Sequence, residues 1–178
     1  MSVVDYRRHL HRIPELDNQL PETTAYVRSV LQPLGCKVFT PITGSVCAWF
    51  DAGRHESVAF RADLDALPVP ERTGLPYASA HPGVMHACGH DGHTAMVLAL
   101  AEYVSANLSR LPRNVLLIFQ PSEETTGGAK KLCEAGVLER YRVRRIFGVH
   151  LWPGLPVGEV YSRPGPMMAR SSEVTVTV

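Results

Sequence analysis

The chain has 178 residues, of which 45% are hydrophobic and 20% are charged, and these proportions exclude a disordered or collagen-like chain. Lys and Arg total 18 and Asp and Glu total 17, so the net charge of +1 gives no electrostatic reason to expect nucleic acid or a membrane surface as the partner. The first residues lack the apolar segment of a signal peptide, and the longest apolar run, 95–101, is too short to span a bilayer, so we expect a cytoplasmic protein.

The pattern of apolar residues predicts helices and strands that alternate along the chain. Helices are predicted where apolar residues recur at helical spacing, and strands where short runs are apolar throughout or alternate with polar residues. In chain order, the predicted elements are a helix over 22–32, strands over 45–50 and 56–61, a helix over 93–108, a strand over 115–120, a helix over 128–135, a strand over 146–150, a strand beginning near Val160 and a strand over 171–178. This alternation predicts a layered α/β fold with a mostly parallel sheet.

Acidic residues and a histidine follow three of the predicted strands. Asp63 and Asp65 follow the strand over 56–61, Glu123 and Glu124 follow the strand over 115–120, and His150 ends the strand over 146–150. Because ligands bind at the carboxyl ends of strands in open α/β sheets, we expect these side chains to meet at one edge.

The segment 86–93, His-Ala-Cys-Gly-His-Asp-Gly-His, lies directly before the helix predicted over 93–108. Its two glycines, Gly89 and Gly92, are expected to allow a tight backbone path that turns Cys88 and His90 towards one point. Thiolate, imidazole and carboxylate together suit zinc, manganese, cobalt or nickel rather than magnesium or calcium. The sequence therefore predicts a metal site.

Each of these features taken alone also has a structural interpretation. Two adjacent glutamates suit the positive N-terminus of a helix, a lone histidine at a strand end can be a hydrogen-bonded structural residue, and Asp63 and Asp65 could cap a turn. The segment 86–93 has no such packing explanation, and four segments converging on one sheet edge favour the metal site. The histidines outside these segments are expected to lie at the surface or to be secondary: His9, His11, His55 and His81.

Long motifs in the chain resemble one known family. The segment 86–93, the segment 61–68 (Arg-Ala-Asp-Leu-Asp-Ala-Leu-Pro) and the segment 123–129 (Glu-Glu-Thr-Thr-Gly-Gly-Ala) resemble the metal-dependent N-acyl-amino-acid amidohydrolases. That group includes hippurate hydrolases and plant auxin-conjugate hydrolases, within the aminoacylase and metallocarboxypeptidase superfamily. Residues 8–16 are similar to the opening of the family, and residues 148–151 to its later metal motif.

The resemblance implies a fold, a reaction and a role for each site residue. The fold would be a three-layer α/β sandwich with a mostly parallel central sheet, as in the catalytic domain of zinc peptidases. Two divalent metal ions, Mn²⁺ or Zn²⁺ with Co²⁺ or Ni²⁺ as alternatives, would be bound by Cys88, His90, Glu124 and His150. Glu123 would be the general base that takes a proton from the attacking water, and Asp65 an orienting carboxylate. The substrate would be a small-molecule N-acyl amino acid, hydrolysed to a carboxylic acid and a free amino acid.

The resemblance also implies a division into domains. Residues 1–170 would be the N-terminal part of the catalytic domain, and residues 171–178 the first strand of a lid and dimerisation domain. The last predicted strand runs to the final residue without a turn. We therefore expect a chain truncated before the lid, through which the full-length protein would form a homodimer. The last metal-ligand histidine of the family has no counterpart by motif in this sequence.

Three other functions compete with this interpretation. A cysteine hydrolase would use Cys88 with His90 or His93, but it would leave the carboxylates at the strand ends without a role. A truncated domain could instead be an inactive metal-binding remnant, and the enzyme could be a related metallopeptidase. Truncation of a parallel sheet also predicts an unpaired strand edge, and hence poor solubility or oligomers.

Overall fold

A computed structural model describes residues 1–125 and 127–167. The helices and strands are, in chain order, α1 (Val3–Arg12), α2 (Pro21–Leu31), β1 (Lys37–Phe39), β2 (Val46–Phe50), β3 (Ser57–Asp63), α3 (His90–Asn107), β4 (Asn114–Gln120), α4 (Gly128–Glu134), α5 (Val137–Arg140) and β5 (Val143–Gly148). Among the described helices, none combines the length and the apolar character that a membrane span requires.

The five strands form one mixed sheet in the order β1-β2-β4-β3-β5. β3 pairs in parallel with both β4 and β5, whereas β2 is antiparallel to β1 and to β4. The predicted parallel arrangement is confirmed for β3, β4 and β5, and the antiparallel half completes the sheet on the side of β1. Because the three parallel strands end at the same edge, the residues that follow them are brought close together.

Helices cover both faces of the sheet, which confirms the three-layer α/β sandwich. Val115, Leu117 and Phe119 of β4 pack in a core cluster with residues of α1, α2 and α3. Leu116 and Ile118 point to the other face, where residues of α4 and α5 pack. A strand buried on both faces explains the continuous apolar run that predicted β4.

In the described part of the chain, the structure adds three elements that the prediction lacks, α1, β1 and α5, and removes one predicted strand. Helix α1 has no counterpart in the prediction, although Ser2 and Asp5 form a capping box at its start, each side chain accepting a hydrogen bond from the backbone N–H of the other residue. The strand predicted to begin near Val160 is wrong, since residues 149–167 contain no strand. The strand predicted over 171–178, and with it the domain boundary after 170, lies outside the described residues.

The boundaries of α3 and β5 differ from the prediction in a way that affects the site. α3 begins at His90 because the preceding Gly89 adopts a left-handed conformation with φ 85°. His90 and His93 therefore share the first turn of the helix. β5 ends at Gly148, so His150 follows the strand by two residues instead of ending it.

Candidate metal centre

The candidate site lies at the edge of the sheet where β3, β4 and β5 end. His90 Nε2 lies 3.6 Å from Glu124 Oε1 and 3.9 Å from Glu123 Oε2. Cys88 Sγ lies 3.5 Å from His150 Nε2, although the two residues are 62 positions apart. The structure thus brings together the four residues predicted as metal ligands and the residue predicted as general base.

Two buried ligand atoms in this site lack a hydrogen-bond partner. The Nδ1 atom of His90 lies 2.7 Å from the backbone oxygen of Asp65. Because a carbonyl oxygen only accepts, Nδ1 carries a hydrogen, and in the neutral imidazole Nε2 then keeps a lone pair. Among the described residues, neither this Nε2 atom nor Glu124 Oε1 has a hydrogen-bond partner. Two buried acceptors facing each other cost free energy unless a cation lies between them, so they fit a divalent metal ion.

Three groups of potential ligand atoms among the described residues share His90, and two of them together contain the predicted ligands. One group consists of Cys88, His90 and His150, and the other of His90, Glu123 and Glu124. Within each group, the ligand atoms lie within 4.8 Å of one another. Sulfur, nitrogen and oxygen ligands in one place suit zinc and related divalent ions better than magnesium or calcium. The residues present therefore fit a centre of one or two such ions.

Asp65 holds the backbone on which the two glutamates lie. Its Oδ1 and Oδ2 atoms accept hydrogen bonds from the backbone N–H groups of Glu123 and Glu124, each at 3.0 Å. The turn before them is strained, because Ser122 has φ 55°, a left-handed conformation that is uncommon for a residue other than glycine. Asp65 is buried and both its oxygens are engaged, so the contacts are those of a residue that orients the site.

Asp63, at the end of β3, lies beside the same histidine as a buried anion. Its Oδ2 atom is 3.6 Å from His90 Nε2 and 2.7 Å from Arg61 Nη1. Burial opposes its ionisation, but the hydrogen bond with His93 and the charge of Arg61 lower the pKa of Asp63 below its usual value. The site therefore contains a fixed negative charge in addition to the predicted ligands.

Cys88 does not have the environment of a free nucleophilic thiol. Burial, followed by the effect of neighbouring Glu124, raises the pKa of Cys88 to about 12. Reactive cysteines lie in surroundings that lower the thiol pKa. In the absence of metal, the structure therefore disfavours the cysteine hydrolase considered from the sequence.

His11 is buried, and the expectation that it lies at the surface is wrong. Its Nδ1 atom lies 2.7 Å from Asp91 Oδ2 and its Nε2 atom 3.2 Å from Glu71 Oε1. The hydrogen bond with Asp91 raises the pKa of His11, although burial lowers it. These partners are 80 and 60 positions away, so no local spacing could have signalled the contact. The other histidines of that group are exposed or half-buried: His9, His55 and His81.

The two glycines of the segment 86–93 have different roles. Gly89 has φ 85°, which confirms that it permits a turn that other residues rarely make. Gly92 lies inside α3 and has no positive φ, so the expectation of a special backbone path there is wrong. A Cβ atom on Gly92 would lie 2.5 Å from Leu151 Cδ1, so any larger residue there would force the Leu151 side chain to move.

Comparison with known sequences identifies relatives over nearly the whole chain. Residues 59–178 match the model of peptidase family M20/M25/M40. An uncharacterized hydrolase of Staphylococcus epidermidis is 40% identical over 174 residues, which are 97% of this chain and 44% of the relative. An uncharacterized hydrolase of Staphylococcus aureus strain USA300 is 39% identical over 177 residues, 98% of this chain and 44% of the relative. The chain thus spans less than half the length of these relatives.

Solved structures share the fold. A crystal structure from methicillin-resistant Staphylococcus aureus has a TM-score of 0.87 and 40% identity, over 92% of this chain and 44% of that one. The YXEP protein of Bacillus subtilis, a dinuclear metal-binding peptidase of the M20 family, has a TM-score of 0.81 and 42% identity, over 88% of this chain and 44% of that one. The family match covers more than half of the sequence and agrees with the resemblance of its motifs, and the chain therefore belongs to peptidase family M20/M25/M40.

Proposed function

We propose that this chain carries the metal centre of a hydrolase that cleaves the amide bond of N-acyl amino acids. The products are a carboxylic acid and a free amino acid. The observation that carries the proposal is that two buried ligand atoms, His90 Nε2 and Glu124 Oε1, have no hydrogen-bond partner among the described residues. The Glu123 carboxylate lies 3.9 Å from His90 Nε2. Divalent metal ions bound there would polarise the amide carbonyl and lower the pKa of the attacking water.

The two adjacent glutamates differ in a way that suits two roles. The side chain of Glu124 is 22% exposed, and its Oε1 atom is fully buried against His90. The side chain of Glu123 is 40% exposed, so it reaches both the site and the solvent. We assign Glu124 as a ligand and Glu123 as the general base, which takes a proton from the attacking water and passes it to the leaving amine.

The substrate class rests on the motifs over 61–68, 86–93 and 123–129. The family match supports a hydrolase, and the YXEP relative supports a dinuclear centre in the family. A related metallopeptidase is therefore the second candidate function. The two candidates differ in whether N-acetyl and N-benzoyl amino acids or unmodified dipeptides are the better substrates.

The first test measures release of free amine after the chain has been incubated with Mn²⁺ or Zn²⁺. N-acetyl and N-benzoyl amino acids should be cleaved faster than dipeptides, and a preference for dipeptides would favour the metallopeptidase. Activity that survives EDTA and is blocked by iodoacetamide would instead support the cysteine hydrolase. Stoichiometric metal binding without turnover would support the metal-binding remnant for this chain.

The second test replaces the proposed base. Glu123→Gln keeps the size of the side chain but removes its basic oxygen, so turnover should fall by about 100- to 10,000-fold while the metal content per chain is unchanged. Glu134→Gln is the matched control, because Glu134 is an exposed glutamate on α4. Full activity in Glu123→Gln would exclude the general-base role.

A further inference from the structure

Apart from one hydrogen bond donated by its backbone, the segment that carries His150 is poorly attached to the fold. In the part of the chain that the structure describes, β5 is an edge strand, and residues 144–167 are exposed. Next to His150, the backbone N–H of Leu151 donates this hydrogen bond to His93 Nε2, at 2.9 Å. His93 is buried on the first turn of α3, so this bond joins the exposed segment to the core next to His150.

The hydrogen bonds of His93 determine which of its ring nitrogens carries the hydrogen. A backbone N–H only donates, so the Nε2 atom that receives it must present a lone pair. The Nδ1 atom of His93 therefore carries the hydrogen and donates it to Asp63 Oδ1, which lies 2.6 Å away. Although Asp63, His90 and His93 together have metal-ligand spacing, both ring nitrogens of His93 are already engaged.

Asp63 is itself held in place, which fixes the other end of this chain of hydrogen bonds. Arg61 Nη1 donates to Asp63 Oδ2 at 2.7 Å, and Thr94 Oγ1 donates to the backbone oxygen of Asp63 at 2.9 Å. The end of β3, the first turn of α3 and the segment after β5 are thus joined through one imidazole.

The side chain of Leu151 occupies a space that Gly92 leaves open on α3. A Cβ atom on Gly92 would lie 2.5 Å from Leu151 Cδ1, whereas one on Gly89, just before the helix, would make an ordinary van der Waals contact with the same atom at 3.6 Å. The backbone and the side chain of Leu151 therefore both rest on the start of α3. This brings the imidazole of His150 to 4.5 Å from that of His93, measured between ring centroids.

We propose that His93 is a positioning residue, which together with Asp63, Gly92 and Leu151 forms a latch that holds His150 against Cys88 and His90. We call these four residues the Leu151 latch. The consequence for function rests on the proposed metal centre, since the latch contributes to catalysis only by placing His150 as a ligand. The latch itself consists of contacts within the chain and can be tested without metal.

The first test is an NMR measurement on the metal-free chain at neutral pH. Long-range ¹H–¹⁵N correlation should show that His93 carries a hydrogen on Nδ1 and none on Nε2. The Leu151 amide should exchange with solvent more slowly than the amide of exposed Trp152. A hydrogen on Nε2, or a Leu151 amide that exchanges as fast as that of Trp152, would overturn the proposal.

The second test compares Zn²⁺ affinity in two variants of His93, measured by competition with a chromophoric chelator. The amide of His93→Gln can accept the Leu151 hydrogen bond, whereas the shorter amide of His93→Asn reaches only towards Asp63. His93→Asn should lower the affinity by about tenfold or more, as removal of a residue that orients a ligand does, and His93→Gln should retain most of it. His55→Asn, at an exposed site, is the control.

Two other outcomes of the comparison between His93→Asn and His93→Gln would contradict the proposal. Equal losses in both variants would show that His93 binds the metal directly, and unchanged affinity in both would show that it contributes only to folding. Either result overturns the latch. A wild-type chain that binds no Zn²⁺ would instead contradict the proposed metal centre, while the NMR measurement would still decide whether the latch exists.

A second pair of variants tests the latch without changing His93. Gly92→Ala should displace Leu151 and lower the Zn²⁺ affinity. In a Leu151→Ala background, where the space is vacant, the same substitution should have little further effect, because the two sites are coupled. Additive losses would overturn the proposed role of Gly92. Circular dichroism establishes that each variant is folded.

Discussion

Asp65 contacts three parts of the candidate site at once. Its carboxylate accepts hydrogen bonds from the backbone N–H groups of Glu123 and Glu124. Its backbone oxygen accepts a hydrogen bond from His90 Nδ1. A single residue therefore sets the positions of one loop and one helix relative to each other. The motif over 61–68 identifies this aspartate, but only the structure shows that it acts through the backbone of the glutamates.

Asp65→Asn should weaken the metal centre without removing a predicted ligand. An amide has one acceptor oxygen, so at least one of the two backbone N–H groups loses its partner. We expect metal affinity to fall by about 10- to 100-fold and the free energy of unfolding by about 1–3 kcal/mol. Chelator competition and urea denaturation measure the two effects. Asp51→Asn, on the exposed turn after β2, is the control, and wild-type affinity in Asp65→Asn would contradict the orienting role.

The buried imidazole of His11 bridges the carboxylates of Asp91 and Glu71. Its other described neighbours with ionisable groups are Arg7 on α1, Tyr77, and His86, whose pKa burial lowers to about 4. Because the hydrogen bond with Asp91 raises the pKa of His11 above its usual value of 6.5, protonated His11 stabilises the folded state. This contribution is fully present below pH 6.5 and is lost as the pH rises through the raised pKa.

A pH series of urea denaturation on wild type and His11→Asn tests this directly. The difference in unfolding free energy should be largest below pH 6.5 and should shrink as the pH rises through the raised pKa of His11. His55→Asn should show no such trend, since His55 is exposed. A difference that grows with pH would mean that His11 is neutral in the folded protein.

At the scale of elements, the start of α3 explains why so many polar residues cluster in one short segment. Gly89 ends the preceding loop in a left-handed conformation, and the first turn of the helix then points its side chains to different partners. His90 faces Glu124. Asp91 accepts a hydrogen bond from His11. His93 forms hydrogen bonds with both Asp63 and Leu151. The helix thus connects the metal centre, α1 and the segment after β5.

Gly89→Ala should therefore affect both stability and metal binding. The left-handed conformation costs a residue with a Cβ atom about 1–2 kcal/mol, and relief of that strain would shift Cys88 relative to His90. Gly53→Ala is a matched control, because Gly53 has φ 70° in the turn after β2 and open space around it. In thermal denaturation, we expect Gly89→Ala and Gly53→Ala to lose similar amounts of stability. Only Gly89→Ala should lose Zn²⁺ affinity. Equal affinities in the two variants would contradict the role of this turn in the site.

At the scale of the whole molecule, the sheet has an exposed apolar edge. Among residues 1–125 and 127–167, β5 pairs with β3 alone, and three apolar residues on or just after it are about half exposed: Ile146 (49%), Phe147 (48%) and Val149 (58%). An unpaired edge with apolar side chains favours association with other chains. We therefore expect the self-association predicted from the sequence to occur through the edge of β5.

Ile146→Lys should reduce self-association of the purified chain. A charged residue on an edge strand opposes pairing with a second strand, so the average mass in analytical ultracentrifugation should shift towards the monomer. Val3→Lys, which changes an exposed residue of α1, should leave association unchanged. A wild-type chain that is strictly monomeric over a wide concentration range would contradict this prediction.

Patterns that are local in the chain predicted most of the fold. The apolar run of β4, the helical stripe of α3 and the glycine that precedes α3 are all properties of neighbouring residues, and the structure confirms them. The strand order could not be predicted in the same way. β4 lies between β2 and β3, which are consecutive in sequence, and β2 runs antiparallel to it, because sheet order depends on pairings between distant segments.

The candidate site was also predicted in part from local patterns, while the rest of it could be seen only in the structure. The sequence by itself determined the α/β class, the residues able to bind metal and the sheet edge at which they gather, because strand ends and motifs can be recognised locally. Only the tertiary structure decided that His11 is buried, that Gly92 makes room for Leu151, and that His93 joins Asp63 to the segment carrying His150. These contacts link residues 30 to 80 positions apart, and their free energy depends on burial and geometry that arise only when the layers pack together.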